Sequence, residues 1–312
     1  MLRSVFMGSP EFAVAGLEVV RERTDLQAVY TQPDKPRGRG NKVVPTPVKA
    51  RALEMGLPVH EPKRIRDEEV VAQLRAYAPD VILVVAYAKL IPPVILEMPR
   101  FGCINVHPSL LPRYRGAIPL LAAVMNGDPT TGVCTFFMDE GYDTGDLILK
   151  RETPLGPDET GEELSKRLSL VGADLLRETI AQLEAGSFAR VKQSAEAEGG
   201  YTKPLKKEDF FIDWNWPAER IRNFVRALAH DPGASTVLNG NPMKLGRVSA
   251  VEGSGAPGTV LGSVRGKGLE VACGDGALRI EQVKPPGKGW MDAWSWLQGA
   301  AVQPGQLFTG PA

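Results

Sequence analysis

Asn105 and His107 stand two residues apart in the run Phe101-Gly102-Cys103-Ile104-Asn105-Val106-His107-Pro108. Side chains alternate along an extended chain, so both project from one face if this run is a strand. An amide and an imidazole on one surface supply a donor for a developing oxyanion and a group that handles protons near neutral pH. Those are the two needs of acyl transfer. The carboxylate that would complete the set has a candidate in Asp143, within the turn Gly141-Tyr142-Asp143-Thr144-Gly145-Asp146. From there it can raise the basicity of the imidazole or orient a water. Quieter roles fit the same patterns, since a histidine before proline is often a satisfied polar residue and an aspartate between glycines often bonds its own turn. The local pattern leaves both open. The other two histidines read as structural or exposed: His60 lies in a Pro-rich stretch, and His230 sits beside Asp231-Pro232 at an expected helix end.

The elements that must position these residues follow from periodicity. Strand-like runs at residues 2–7, 26–31 and 80–86 alternate with helical patterns at 10–23 and 70–77. That alternation predicts βαβ units and a doubly wound, mostly parallel, Rossmann-like α/β sheet. Ligands in such sheets gather at the carboxyl ends of strands, near a topological switch point. Residues 101–106 read as a further strand stopped by Pro108, which places His107 at a strand end. A helix around residues 119–125 and two β-like runs at 132–138 and 147–151 come next, with Asp143 in the loop between the two runs. Thr160 and Glu163 are spaced as a capping box, opening a helix whose apolar residues Leu164, Leu168, Val171 and Leu175 recur at helical spacing.

A chain of 312 residues exceeds one hydrophobic core, so two domains are expected. Periodicity fades from residue 187 to 206, and the expected division is 1–188, a linker over 189–206, and 207–312. The last part opens on a helix from Pro217 to Leu228 and continues in short β runs broken by glycines, the pattern of a small barrel or sandwich. Lys plus Arg equals Asp plus Glu at 37 each, so any nucleic-acid face must be local. The longest apolar run is far below the ~20 residues that cross a bilayer, and no signal-peptide core opens the chain. Cys103, Cys134 and Cys273 are widely separated, which suggests neither a disulfide framework nor a zinc site. A cytoplasmic protein with no metal and no membrane partner is expected.

The run Asn105-Val106-His107-Pro108-Ser109-Leu110-Leu111-Pro112, continuing as Arg113-Tyr114-Arg115-Gly116 to Pro119, resembles the signature of the folate-dependent formyltransferase family, and Asp143-Thr144-Gly145-Asp146 resembles its second half. The resemblance implies 10-formyltetrahydrofolate as formyl donor, with Asn105, His107 and Asp143 as the catalytic residues and Ser109, Leu110, Leu111 and Pro112 along the folate. One departure is visible: the family often carries a glutamine shortly after the proline of the R-G-A-x-P run, and here Leu120 and Leu121 follow Pro119.

Three further features are similar to the branch of that family whose acceptor is methionyl-initiator tRNA. They are the opening Phe6-Met7-Gly8-Ser9-Pro10-Glu11-Phe12-Ala13, the insertion Thr31-Gln32-Pro33-Asp34-Lys35-Pro36-Arg37-Gly38-Arg39-Gly40, and a C-terminal half with Ile212-Asp213-Trp214, Val225-Arg226-Ala227 and Asp231-Pro232-Gly233-Ala234. The resemblance implies an OB-fold-like barrel that helps hold the tRNA. A monomer is the expected state. Independently, residues 34–66 carry nine Lys or Arg against three Asp or Glu, for which RNA phosphates are one counterpart and a solvated surface loop the plainer reading. Arg37, Arg39 and Lys42 in the glycine-rich insertion, with Lys203, Lys206 and Lys207 further on, are the candidate tRNA contacts.

The chemistry expected is attack by the neutral α-amine of the aminoacyl ester, with Asn105 and a protonated His107 at the oxyanion and Asp143 relaying protons. Two rival activities share these residues: formylation of a small amine, which needs neither barrel nor basic loop, and hydrolysis of the formyl-folate by water.

Overall fold

The computed structural model describes residues 1–37 and 42–311. They fall into two units: residues 1–119, 130–154 and 165–202 form the first, and residues 120–129, 155–164 and 203 onward the second.

In the first unit β1 (Arg3–Gly8) pairs in parallel with β2 (Asp25–Tyr30), and α1 (Val14–Arg23) lies between them in sequence. β3 (Lys35–Arg37) and β4 (Lys42–Val44) pair as a separate antiparallel ribbon. Thr46 then caps α2 (Pro47–Glu54) by accepting the N–H of Lys49 at 3.1 Å, and Pro47 holds the first helical position, where its missing N–H costs nothing. β5 (Val59–His60), α3 (Glu68–Ala76), β6 (Val81–Val85), α4 (Pro93–Leu96) and β7 (Cys103–His107) follow. β6 reads Val-Ile-Leu-Val-Val and is buried at every position, as a strand covered on both faces must be. The short β8 (Arg115–Gly116) precedes β9 (Thr130–Phe137) and β10 (Leu147–Pro154), and β11 (Tyr201–Thr202) pairs in parallel with β8.

The main sheet runs β10-β9-β7-β6-β1-β2-β5, parallel from β7 to β5, with β9 and β10 antiparallel at one edge. The chain leaves β1 toward β2 on one side and returns to β6 on the other, so the strand order switches direction there. The carboxyl ends of these strands are where a ligand crevice is built in such sheets. The long α6 (Gly161–Ala185) begins at the expected capping box: Thr160 Oγ1 accepts the N–H of Glu163 at 3.2 Å, and Glu163 Oε2 accepts the N–H of Thr160 at 2.9 Å.

The stretch expected to link the domains is hydrogen-bonded into the first unit as far as Thr202. Val191 exchanges backbone hydrogen bonds with Leu147, and Tyr114 N–H donates to the carbonyl of Glu198. A run of Ala, Glu and Gly residues, mostly exposed, hid this from the sequence, because the attachment is made by backbone groups and by two residues described below.

The second unit contains α5 (Pro119–Asn126) from Leu120 onward. It also holds α7 (Ala218–Ala227), whose Ile221, Phe224 and Val225 are buried at i, i+3, i+4 spacing. Strands β12 (Ala234–Leu238), β13 (Asn241–Val251), β14 (Val260–Val264), β15 (Gly268–Ala272) and β16 (Ala277–Lys284) follow, then β17 (Met291–Asp292), α8 (Ala293–Leu297) and β18 (Phe308–Thr309). The order β14-β15-β16-β13-β12-β18 is antiparallel throughout. Bonds from the backbone of residues 258–260 to residues 305–308 tie its two ends together, closing the sheet into a barrel. Trp214 is 4% exposed and donates to Thr236 Oγ1, and Trp216 and Trp296 pack against the barrel core. Leu121 packs against that core too, which gives the departure noted after Pro119 an apolar role. No helix among the described residues is long and apolar enough to cross a membrane.

Candidate active site

His107 is the last residue of β7 and is 5% exposed. Its Nε2 lies 3.1 Å from the carbonyl oxygen of Tyr114. A carbonyl only accepts, so Nε2 carries the proton, and Nδ1 keeps the lone pair of the neutral ring. Nδ1 faces Asp143 Oδ2 at 3.7 Å, beyond the reach of a direct hydrogen bond. Burial is the largest influence on this imidazole and pushes its pKa below the ordinary histidine value; the Asp143 carboxylate and the Tyr114 carbonyl pull the other way and lose. Where the sequence suggests a protonated His107, the fold favours the neutral ring. Phe136 closes one side, its ring edge-on to the imidazole at 6.3 Å between centroids.

Asp143 sits in the left-handed region at φ 57°, which aspartate tolerates better than most side chains. Its Oδ2 accepts the N–H of Gly116 at 2.8 Å. Gly116 is required there: its φ is +102°, and a Cβ would lie 2.3 Å from the carbonyl oxygen of Thr202. The turn itself is closed by Asp139, whose Oδ1 accepts from Gly141 N–H at 3.1 Å and from Thr144 Oγ1 at 2.7 Å.

Asn105 lies on the same face of β7 as His107, between Val84 of β6 and Phe136 of β9, and is partly exposed. No side-chain hydrogen bond joins its amide to another described residue. The fold therefore brings His107 and Asp143 face to face, and strand register adds Asn105.

The four residues expected along the folate divide in two. Ser109 is 1% exposed and gives its hydroxyl proton to the carbonyl of Arg113 at 2.6 Å, and Leu111 is fully buried against Cys134 and Phe136. Their side chains shape the loop from inside. Leu110 and Pro112 stay partly exposed. Of the apolar residues nearby in sequence, Val84, Val85 and Ile91 are core and Leu90 is exposed.

Among the expected RNA contacts, Lys203, Lys206 and Lys207 are exposed. Arg37 ends β3 and Lys42 begins β4, where their backbones pair, and Arg39 lies outside the described residues. The positive excess of residues 34–66 is smaller than its formal count. Lys49 is held by Asp34 at 2.6 Å and Glu61 at 2.7 Å, and Arg51 by Glu18 and Glu54, both at 2.9 Å.

Two residues escape sequence reasoning. Arg115 is 2% exposed, and its guanidinium donates to Gln193 Oε1, Ser194 O and Ala195 O at 2.9, 2.8 and 3.3 Å. Gln193 returns its amide N–H groups to the carbonyls of Asp143 at 3.0 Å and Gly145 at 2.7 Å. Arg115 stands in the quoted signature, but nothing there marks it as buried, and Gln193 lies in the stretch without periodicity.

This fold and constellation define a formyl transferase, and sequence comparison agrees: residues 2–180 match the family described as formyl transferase and residues 204–301 the formyl transferase C-terminal domain, so the chain belongs to that family. The methionyl-tRNA formyltransferase of Trichlorobacter lovleyi is 47% identical over 98% of this chain and 96% of its own length. That of Symbiobacterium thermophilum is 49% identical over 100% of this chain and 96% of its own. Within the family the chain therefore groups with the methionyl-tRNA formyltransferases. The fold also resembles HypX from Aquifex aeolicus, solved in complex with tetrahydrofolic acid, at TM-score 0.62 and 20% identity, over 95% of this chain and 47% of that longer one.

Proposed function

We propose that this chain transfers the formyl group of 10-formyltetrahydrofolate to the α-amine of methionyl-initiator tRNA, with Asn105, His107 and Asp143 at the reacting atoms. The observation that carries the reading is the buried His107, neutral and with one nitrogen left for proton transfer, facing Asp143 in a chain nearly half identical to methionyl-tRNA formyltransferases over its length.

The formyl-folate supplies the one-carbon unit and a nitrogen leaving group. Leu110 and Pro112 offer it an apolar wall with backbone groups, and the uncommitted amide of Asn105 suits its carbonyl oxygen. Asn105 donates to that oxygen as negative charge gathers there, in a site where no solvent need reorganise. The attacking amine loses a proton on bonding to carbon. His107 Nδ1 is positioned to take it, because Nε2 is already committed to Tyr114. Asp143 stabilises the imidazolium that results, and the proton then passes on to the departing nitrogen. Arg37, Arg39, Lys42, Lys203, Lys206 and Lys207 meet the phosphates of the tRNA.

Incubating the protein with 10-formyltetrahydrofolate and methionyl-initiator tRNA tests this reading. Formylmethionyl-tRNA is the expected product. Formate release without an acceptor, or transfer only to a small amine, would overturn it.

A further inference from the structure

Gln193 lies outside both matched family segments, which end at residue 180 and resume at 204. Its neighbours Val191, Lys192, Ser194 and Ala195 are exposed, yet its own side chain turns inward. Every hydrogen-bonding group of that side chain is used. Oε1 accepts from Arg115 Nη2 at 2.9 Å and Nε at 3.3 Å, and Nε2 donates to the carbonyls of Asp143 and Gly145. The amide has only one orientation here. A guanidinium offers donors alone and carbonyls offer acceptors alone, so a flipped amide would set like against like on both sides.

These bonds hold Asp143 from two directions. Its carboxylate is fixed by the N–H of Gly116, the residue after Arg115, and its backbone carbonyl by Gln193. Arg115 is in turn anchored on the backbone of Ser194 and Ala195, so the segment after Gln193 and the segment after His107 are locked to one another. The left-handed backbone of Asp143 needs such support to persist.

We infer that Gln193 is a positioning residue of the active site, which holds the Asp143 turn at the spacing from His107 that proton transfer requires. The inference rests on the reading of His107 and Asp143 above and deepens it. Gln193 touches no reacting atom, and its effect runs through Asp143. Glutamate at this position keeps the acceptor for Arg115 and loses the donor to the Asp143 and Gly145 carbonyls. The two halves of the contact are thereby separable.

The test compares the wild type with Gln193→Ala and Gln193→Glu in two measurements on the full chain. The first is formylation of methionyl-initiator tRNA at saturating substrates. Both variants are expected to lose ~10- to 100-fold in kcat, as misplaced groups do, with KM for the tRNA within about twofold of wild type. The second is the pH titration of 15N-labelled histidine side chains by NMR, which needs no activity and has only three histidines to resolve. In folded Gln193→Ala the His107 titration is expected to move downward as the carboxylate withdraws, with His60 unchanged. A His107 titration that overlays the wild type would overturn the positioning role, as would full kcat in Gln193→Glu. An inactive wild type whose His107 nevertheless responds to Gln193 would instead overturn the proposed function alone.

Discussion

His107 Nδ1 and Asp143 Oδ2 face each other across 3.7 Å, close enough to couple electrically and too far apart to share a proton directly. A shorter contact would commit Nδ1 to the carboxylate and leave no nitrogen for an incoming amine, since Nε2 already donates to Tyr114. The spacing keeps the ring neutral at rest and gives its cationic form a partner when one forms.

Asn105 is the clearest test of oxyanion support. Its amide has no partner among the described residues, so Asn105→Ala removes little that holds the fold together. Unfolding free energy is expected to change by no more than ~0.5 kcal/mol. Turnover is expected to fall about 100-fold or more, the usual cost of ~3 kcal/mol for losing a preorganised donor. Full turnover in a folded variant would remove Asn105 from the mechanism.

The burial of His107 has a consequence for stability against pH. Its folded pKa lies below the unfolded value of 6.5, so below about pH 6.5 the unfolded chain binds more protons than the native one. The stabilising contribution of the neutral ring is complete above that pH and is lost as pH falls toward the depressed pKa. Denaturation of the wild type and of His107→Gln between pH 5 and 7 should show a shallower slope in the variant. His60, also depressed by burial, remains in both proteins and cancels from the comparison. Equal slopes would contradict the assignment.

Arg226 on α7 is 9% exposed and donates to the carbonyls of Glu159, Gly156 and Val124 at 2.8, 3.2 and 3.4 Å. Burial pushes its pKa down, and its charge-assisted bonds add to two carbonyls, Gly156 and Val124, that also accept backbone N–H groups. Arg226→Ala is expected to cost roughly 1.5–3 kcal/mol through the loss of its charge-assisted hydrogen bonds. All five tryptophans, from Trp214 to Trp296, belong to the second unit, so tryptophan fluorescence reports its melting directly. An unshifted transition would show the carbonyls satisfied in another way.

Arg39→Ala addresses the RNA contacts. One phosphate contact fewer should raise KM for the tRNA and lower the slope of log KM against log salt by about 1, with kcat nearly unchanged. A salt slope equal to wild type would take Arg39 out of tRNA binding.

Much of this was legible because it depends on local rules. The alternation of β6 and α3 patterns, the capping box at Thr160 and Glu163, and the same-face placement of Asn105 and His107 follow from periods of 2 and 3.6. Three things were not. The protonation of His107 depends on how deeply β7 is covered, which no single segment encodes. The apolar wall expected from Ser109 to Pro112 is half internal, because Ser109 spends its hydroxyl on Arg113 and Leu111 joins the core. The attachment of residues 189–202 runs through a glutamine, an arginine and backbone groups separated by some 80 positions, a pairing without periodicity.

The second unit recruits residues 120–129 and 155–164 from early in the chain. The carbonyl of Val124 finds Arg226 only 102 residues later. At ~5–20 residues per second, a nascent chain waits roughly 5–20 s between making that acceptor and making this second donor. During this interval α5 has no barrel core to cover Leu121 and Met125. Protection of this helix on the ribosome is thus set by the pace of translation of everything that follows it.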